Sequence, residues 1–281
     1  MKITYYPGCT LKANAKNFED SAIYSYGELG IELVELPRWN CCGTVYSLAT
    51  DDLMRHLAGI RTFIRVKEQG TNKFVTFCSM CYNTLKQVEI KLRNDEEALS
   101  KLNDFMYEEE TKYDGDVTVI HGLTLLKEYG FDKLKSKVKN PLNKKIAAYY
   151  GCLLLRPKEV AIDDVENPTI MEDLISALGG EPIDFPFKNE CCGAYEVTHD
   201  RNIIIERTKK IIENAQARGA EMIITSCPLC EFNLDNMQKY VKENYGSFKT
   251  IPVLYYTQVM AVAFGNRDAA HFELNYIKPE F

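Results

Sequence analysis

ELGIELVELPRWNCCG, residues 28–43, returns in altered form as ALGGEPIDFPFKNECCG at residues 177–193. Both versions run from a glycine-marked helix end through a short apolar run to two adjacent cysteines and a glycine. The repetition extends outward from there. YYPGC at 5–9 has its counterpart in YYGC at 149–152, and KFVTFCSMCYNTLKQV at 73–88 in EMIITSCPLCEFNLDNM at 221–237. VTVIHGLTLLKEYG at 117–130 likewise resembles IPVLYYTQVMAVAFG at 251–265. The chain is therefore an internal duplication. Its first domain is expected at 1–140 and its second at 141–281, with the join near 137–145, where Lys, Asn and Pro interrupt the apolar pattern.

Within each copy, short apolar runs alternate with longer stretches of helical period. That alternation predicts an α/β fold of two pseudo-symmetric repeats of βα units with mostly parallel sheets. Strands are expected at 3–6, 32–36, 73–77 and 117–120, and again at 145–150, 182–185, 222–225 and 252–255. Helices are expected at 13–28, 51–68, 82–94 and 123–129, then at 169–178, 201–217, 231–243 and 258–264. Gly27, Gly30, Gly70, Gly179 and Gly219 mark helix C-termini.

Composition narrows the function. The 281 residues are 46% hydrophobic and 26% charged, which excludes a disordered chain and a membrane bundle. A formal net charge of -6 argues against nucleic acid as a partner. The opening MKITYYPGC lacks the apolar segment of a signal peptide, and no later apolar run is long enough to cross a bilayer. A cytoplasmic chain without membrane insertion is expected. Ten cysteines are abundant for such a chain and point to metal or redox chemistry.

All ten fall inside the repeat, as Cys9, Cys41, Cys42, Cys78 and Cys81, then Cys152, Cys191, Cys192, Cys227 and Cys230. They lie beyond expected strand ends, the edge at which ligands collect in parallel sheets, so the five thiols of each copy should meet. Five is one more than tetrahedral zinc takes, and disulfide pairing would leave one thiol over. A zinc scaffold using four of the five thiols is thus the weaker reading. The compact four-cysteine run of common ferredoxins is also absent. Adjacent residues have Cα atoms about 3.8 Å apart, so both sulfurs of a pair reach one ligand if the chain bends, which Gly43 and Gly193 permit. A CxxC at a helix start adds partial positive charge that suits thiolates or an anionic cluster.

The order of a cysteine, 31 or 38 residues, CCG, 34 or 33 residues and CxxC resembles the cysteine-rich CCG domain family. The tandem form is similar to the B-type iron-sulfur subunits of heterodisulfide reductases, including their homologues outside methanogens. The resemblance implies two noncubane 4Fe-4S clusters. One would be held by Cys9, Cys41, Cys42, Cys78 and Cys81, the other by Cys152, Cys191, Cys192, Cys227 and Cys230. It further implies an oxidoreductase subunit that reduces a small-molecule or protein disulfide by one-electron transfers, across a pocket between the clusters. Electrons would come from a ferredoxin-like iron-sulfur subunit and a flavin-containing subunit. Related repeats elsewhere imply an alternative, an electron-transfer subunit of a hydroxyacid or methylene-tetrahydrofolate type oxidoreductase. Two departures bear on the substrate. Leu153 stands where methanogen members often carry His, and CCGTVYSLAT lacks the proline-containing insertion associated with them, so coenzyme M and coenzyme B are not the expected substrates.

Other residues are weaker candidates. Lys12 and Arg156 follow the first cysteine of each copy and are placed to attract a carboxylate or sulfonate, against the commoner role of a solvated charge. His121 lies past a strand end on the cysteine rim, either as a proton carrier or as a packing histidine. His199 adjoins Thr198 and Asp200, which read as helix caps. Trp39 reads as a core anchor, Tyr5, Tyr6, Tyr149 and Tyr150 as half-buried strand residues, and 93–116 as a solvated helix and loop. With no phosphate loop, nucleophile elbow or HExxH motif, no nucleotide site is expected.

Overall fold

In the computed structural model, which describes residues 1–43 and 53–281, the repeated sequence forms two sheets of one design. The first copy runs β1 (Lys2–Tyr5), α1 (Gly8–Ala13), α2 (Lys16–Glu28), β2 (Glu32–Glu35), α3 (Leu57–Glu68), β3 (Lys73–Thr76) and α4 (Ser79–Arg93). It continues through α5 (Glu96–Phe105), β4 (Thr118–His121), α6 (Gly122–Tyr129) and α7 (Phe131–Lys135). The second copy comprises β5 (Lys145–Tyr149), α8 (Ile170–Ala177), β6 (Glu181–Ile183), α9 (Arg201–Ala217) and β7 (Met222–Thr225). It ends with α10 (Pro228–Glu231), α11 (Gln238–Asn244), β8 (Val253–Tyr255) and α12 (Tyr256–Ala263). The sheet orders are β2-β1-β3-β4 and β6-β5-β7-β8, and every pairing among the described residues is parallel. Each of the eight expected strands is present.

Parallel strands covered by helices on both faces bury side chains of both parities. In β5 and the residue after it, Ile146, Ala148 and Tyr150 enter one core, while Ala147 and Tyr149 enter another. The first of these cores crosses the sequence join. It contains Phe18, Phe77 and Leu126 together with Ile170, Leu174, Tyr256 and Val259. Helix α12 of the second copy packs on α2 of the first, where the Phe18 ring stacks on Tyr255 at 4.2 Å and 4°. Beside that stack, the Ser21 hydroxyl lies 2.7 Å from that of Thr257, and Tyr26 and Tyr256 pair their hydroxyls at 3.2 Å. The sequence therefore divides at the join, but the packing does not.

Several boundaries differ from expectation. The helix expected at 13–28 begins at Lys16 as α2, and an unforeseen helix α1 precedes it; between them the chain turns at Asn14 and Ala15, whose N–H groups both bond Thr10 O at 2.9 Å. Cys9 is thus helical. Gly27 lies inside α2, and Gly30, with φ +73°, is the residue that ends it. The expected start of the helix at 51–68 falls partly outside the described residues. From Met54 a short 3-10 turn leads into α3. The helix expected at 231–243 is broken by a π-helical turn, Phe232–Asn236, where the buried Asp235 accepts backbone N–H groups from Tyr276 and Ile277. Helix α5 is capped by Asp95, which accepts from Ala98 N at 2.9 Å. Its segment is less solvated than expected, since Leu102, Met106 and Tyr113 are buried.

Candidate metal centres

The shared topology carries the cysteines to corresponding places. Cys9 is the second residue of α1, Cys41 and Cys42 sit in the loop after β2, and Cys78 caps α4, with Cys81 in its first turn. In the second copy Cys152 is in the turn after β5, Cys191 and Cys192 follow β6, and Cys227 caps α10, with Cys230 in its first turn. None of the ten is in a disulfide. Cys42, Cys78, Cys81, Cys192, Cys227 and Cys230 are buried, Cys152 and Cys191 partly so, and Cys9 and Cys41 are exposed. In the second copy Cys152, Cys192, Cys227 and Cys230 line one small pocket, with Cys191 adjoining Cys192 in the chain. In the first copy Cys81 joins Cys42 and Cys78. The Cys9 sulfur lies 3.9 Å from the Thr10 hydroxyl at the rim. Among the described residues no three His, Cys, Asp or Glu side chains surround a point as ligands of a single ion.

Both sites are held by the same devices. The Tyr6 hydroxyl donates to Asn40 O at 2.7 Å and the Tyr149 hydroxyl to Glu190 O at 2.6 Å, so in each copy a phenol anchors the carbonyl just before the cysteine pair. A glycine then admits the innermost sulfur. A Cβ on Gly8 would stand 2.8 Å from Cys81 Sγ, and one on Gly151 would stand 3.2 Å from Cys230 Sγ. The Cys191 sulfur accepts the Gly193 N–H at 3.3 Å, and the Cys192 sulfur accepts Asn233 Nδ2–H at 3.4 Å. The two CxxC turns face each other across the join. The Ser79 and Ser226 hydroxyls are 2.7 Å apart there, and Met80 and Leu229, the third residues of the two motifs, line one cleft of about 330 Å³.

A family profile described as "CCG: Cysteine-rich domain" matches residues 3–86 and 146–235, one match per copy. The chain belongs to the CCG cysteine-rich domain family. Among CCG-family relatives, the 8-methylmenaquinol:fumarate reductase membrane anchor subunit of Wolinella succinogenes is 32% identical over 94% of this chain and 92% of its own. The B-type subunit of the Ferredoxin/F(420)H(2)-dependent CoB-CoM heterodisulfide reductase of Methanosarcina acetivorans is 30% identical over 99% of this chain and 94% of its own. A solved structure of a hypothetical protein from Helicobacter pylori shares the fold, with a TM-score of 0.79 at 13% identity, over 99% of this chain and 52% of that one. No helix among the described residues of this CCG-family chain is long and apolar enough to cross a membrane.

The crowding of sulfurs sets their proton affinities. Hydrogen bonds from Cys152 and then Cys192 pull the Cys191 thiol far down, while the same contact pushes Cys152 up. Cys230 is raised by Cys192 and Cys227, and Cys81 by Cys42 and Cys78. A few sulfurs thus ionise at the expense of neighbours that keep their protons, because adjacent buried thiolates repel. Multivalent cations reverse that balance, since a coordinating thiol is deprotonated outright. The donor set, soft, buried and crowded, fits a group of several iron atoms.

Sequence candidates outside the cysteines take structural places. The Lys12 ammonium pairs with Glu19 at 2.6 Å and Glu35 at 2.5 Å, and the Arg156 guanidinium reaches the Asn189 carbonyl at 3.5 Å. Neither lines the cleft. Asp200 caps α9 by accepting from Asn202 N at 2.9 Å, and the Trp39 ring is half-buried, its N–H donating to Glu35 at 3.0 Å. Tyr5, Tyr6, Tyr149 and Tyr150 are fully buried, not half-buried. The anchoring role of Tyr6 and Tyr149 was carried in sequence only by the repeated YY before each glycine and cysteine.

His121 is fully buried. Its Nε2–H donates to Phe77 O at 2.8 Å, and its Nδ1 accepts from Leu123 N at 3.2 Å, which caps α6. Burial pushes the imidazole from 6.5 down to about 4. The neutral ring is therefore favoured in the folded protein. Its contribution is complete above the unfolded value and is lost as pH falls toward the folded one, by about 3 kcal/mol in all. Urea titrations between about pH 7 and about pH 4.5 should show wild type losing stability more steeply than His121→Gln. Parallel slopes would refute the assignment.

Proposed function

We propose that this chain is an iron-sulfur oxidoreductase subunit that reduces a disulfide, with one noncubane 4Fe-4S cluster in each copy. The observation that carries the reading is the gathering of Cys152, Cys192, Cys227 and Cys230 around one small pocket beside Leu229, a residue that also lines the cleft shared with the CxxC turn of the first copy. Cys9, Cys41, Cys42, Cys78 and Cys81 would hold one cluster, and Cys152, Cys191, Cys192, Cys227 and Cys230 the other. When bound, such clusters supply electrons one at a time.

The protein's own residues do the rest. The Tyr6 and Tyr149 anchors fix the cysteine pairs, Gly8 and Gly151 let the inner sulfurs seat, and Asn233 and the Gly193 amide direct N–H groups at sulfur. Disulfide reduction consumes two electrons and two protons and releases two thiols, so a substrate held between two one-electron centres suits the stoichiometry. The electrons would come from a ferredoxin-like iron-sulfur subunit and a flavin-containing subunit. The subunit nature of the relatives, one named for a heterodisulfide reductase, supports this arrangement. A second reading, electron transfer within another oxidoreductase complex, is favoured by the relative named for a fumarate reductase.

Anaerobic preparation with metal and sulfide analysis tests the proposal. About eight iron atoms and as many labile sulfides per chain are expected. A colourless protein carrying zinc and no sulfide would point to the scaffold reading instead. Copurifying subunits would separate the two oxidoreductase readings.

A further inference from the structure

We propose that the cleft between the two cysteine sites accepts an uncharged, partly apolar disulfide, with Tyr195 as a positioning contact. The inference rests on the disulfide-reductase reading and narrows its substrate class. One wall of the cleft is Met80, Pro228, Leu229, Phe232 and Leu274. Phe232 and Leu274 remain 41% and 51% exposed, which leaves apolar surface at the mouth for a ligand to cover. The polar groups opposite are neutral, the amides of Asn14, Asn17 and Asn236 and the hydroxyl of Thr10.

No Lys, Arg or His lines the cleft among the described residues. Lys12 and Lys16, after Cys9 on helices α1 and α2, are paired with Glu19, and Lys12 also with Glu35. A sulfonate, phosphate or carboxylate entering here would lose water without gaining a cation. An uncharged disulfide meets no such penalty.

Tyr195 belongs to the second copy, three residues beyond Cys192, yet its hydroxyl lies 4.0 Å from Met80 Sδ in the CxxC of the first. It lines the cleft together with Met80 of the first CxxC turn and Leu229 of the second. The repeat places Val45 at the matching sequence position of the first copy. An aromatic face suits sulfur contact.

The test uses cluster-loaded full-length protein, oxidised and without reductant, titrated calorimetrically with bis(2-hydroxyethyl) disulfide and with dianionic 3,3′-dithiodipropionate. The neutral disulfide should bind at least about tenfold more tightly, as expected for an unpaired charge entering an apolar site. Tyr195→Ala should weaken its binding by about tenfold, with cluster absorption unchanged. Asn14→Lys, at the exposed end of α1, should raise affinity for the dianion and shrink the ratio. Equal or tighter binding of the dianion in wild type, or binding of neither compound, overturns the inference. Turnover of either disulfide by the reduced protein decides the reductase reading separately.

Discussion

Cys192→Ser protein prepared without oxygen is expected to keep the iron and sulfide of the first site and lose those of the second, so that total iron falls to roughly half. Cys192 touches both Cys191 and Cys230 and receives Asn233 Nδ2–H, so it joins the loop cysteines to the CxxC turn. A serine oxygen is a shorter and harder donor than sulfur, and iron-sulfur chemistry selects soft thiolates. The damage should remain local, since the cysteines that line the pocket with Cys192 lie in its own copy. The buried hydroxyl itself should cost about 1 to 3 kcal/mol, which far-ultraviolet circular dichroism and thermal melting will separate from loss of the fold. Cys42→Ser is the mirror experiment. If either variant lost all its iron while remaining folded, the two-site proposal would fail.

Gly8→Ala should be nearly as severe without touching a ligand. Gly8 has φ +71°, and the added Cβ would stand 2.8 Å from Cys81 Sγ. The left-handed backbone costs a non-glycine residue about 1 to 2 kcal/mol, and overpacking adds about 1 to 3 kcal/mol. The sulfur is the atom that must move. Gly151→Ala has φ +64° and a 3.2 Å approach to Cys230 Sγ, so its packing cost should be smaller and its iron loss milder. Gly219→Ala is the control, with φ +87° and nothing within 4 Å of the added carbon. It should lose stability by the conformational amount alone and keep full iron content. If Gly8→Ala keeps full iron content as well, Cys81 does not hold metal where the fold places it.

Much of this arrangement was legible in the amino-acid order. Buried parallel strands write themselves as unbroken apolar runs, which is why MIIT at 222–225 and KFVT at 73–76 were readable. Helix α9 announced both its cap, Asp200, and its apolar stripe of Ile204, Ile205, Thr208, Ile211 and Ile212. Helix α1 and the turn after it were not readable, because Asn14 and Ala15 are tolerated within helices. The π turn answers to contacts with Tyr276 and Ile277, some forty residues away. Tyr195 was missed for the same reason, since the partner of its hydroxyl, Met80, comes from the other copy. Lys12 looked like a site residue because its two carboxylate partners, Glu19 and Glu35, lie beyond the reach of any local motif.

The packing of α12 on α2 removes the autonomy that a doubled sequence suggests. A chain severed at the join would leave Phe18 and Tyr26 without Tyr255 and Tyr256, and would strip a wall of aromatic surface from each fragment. Each copy is the other's scaffold. Positions around the shared cleft can therefore diverge, as Tyr195 has from its counterpart in the repeat, while the two frameworks stay bound to a common fate.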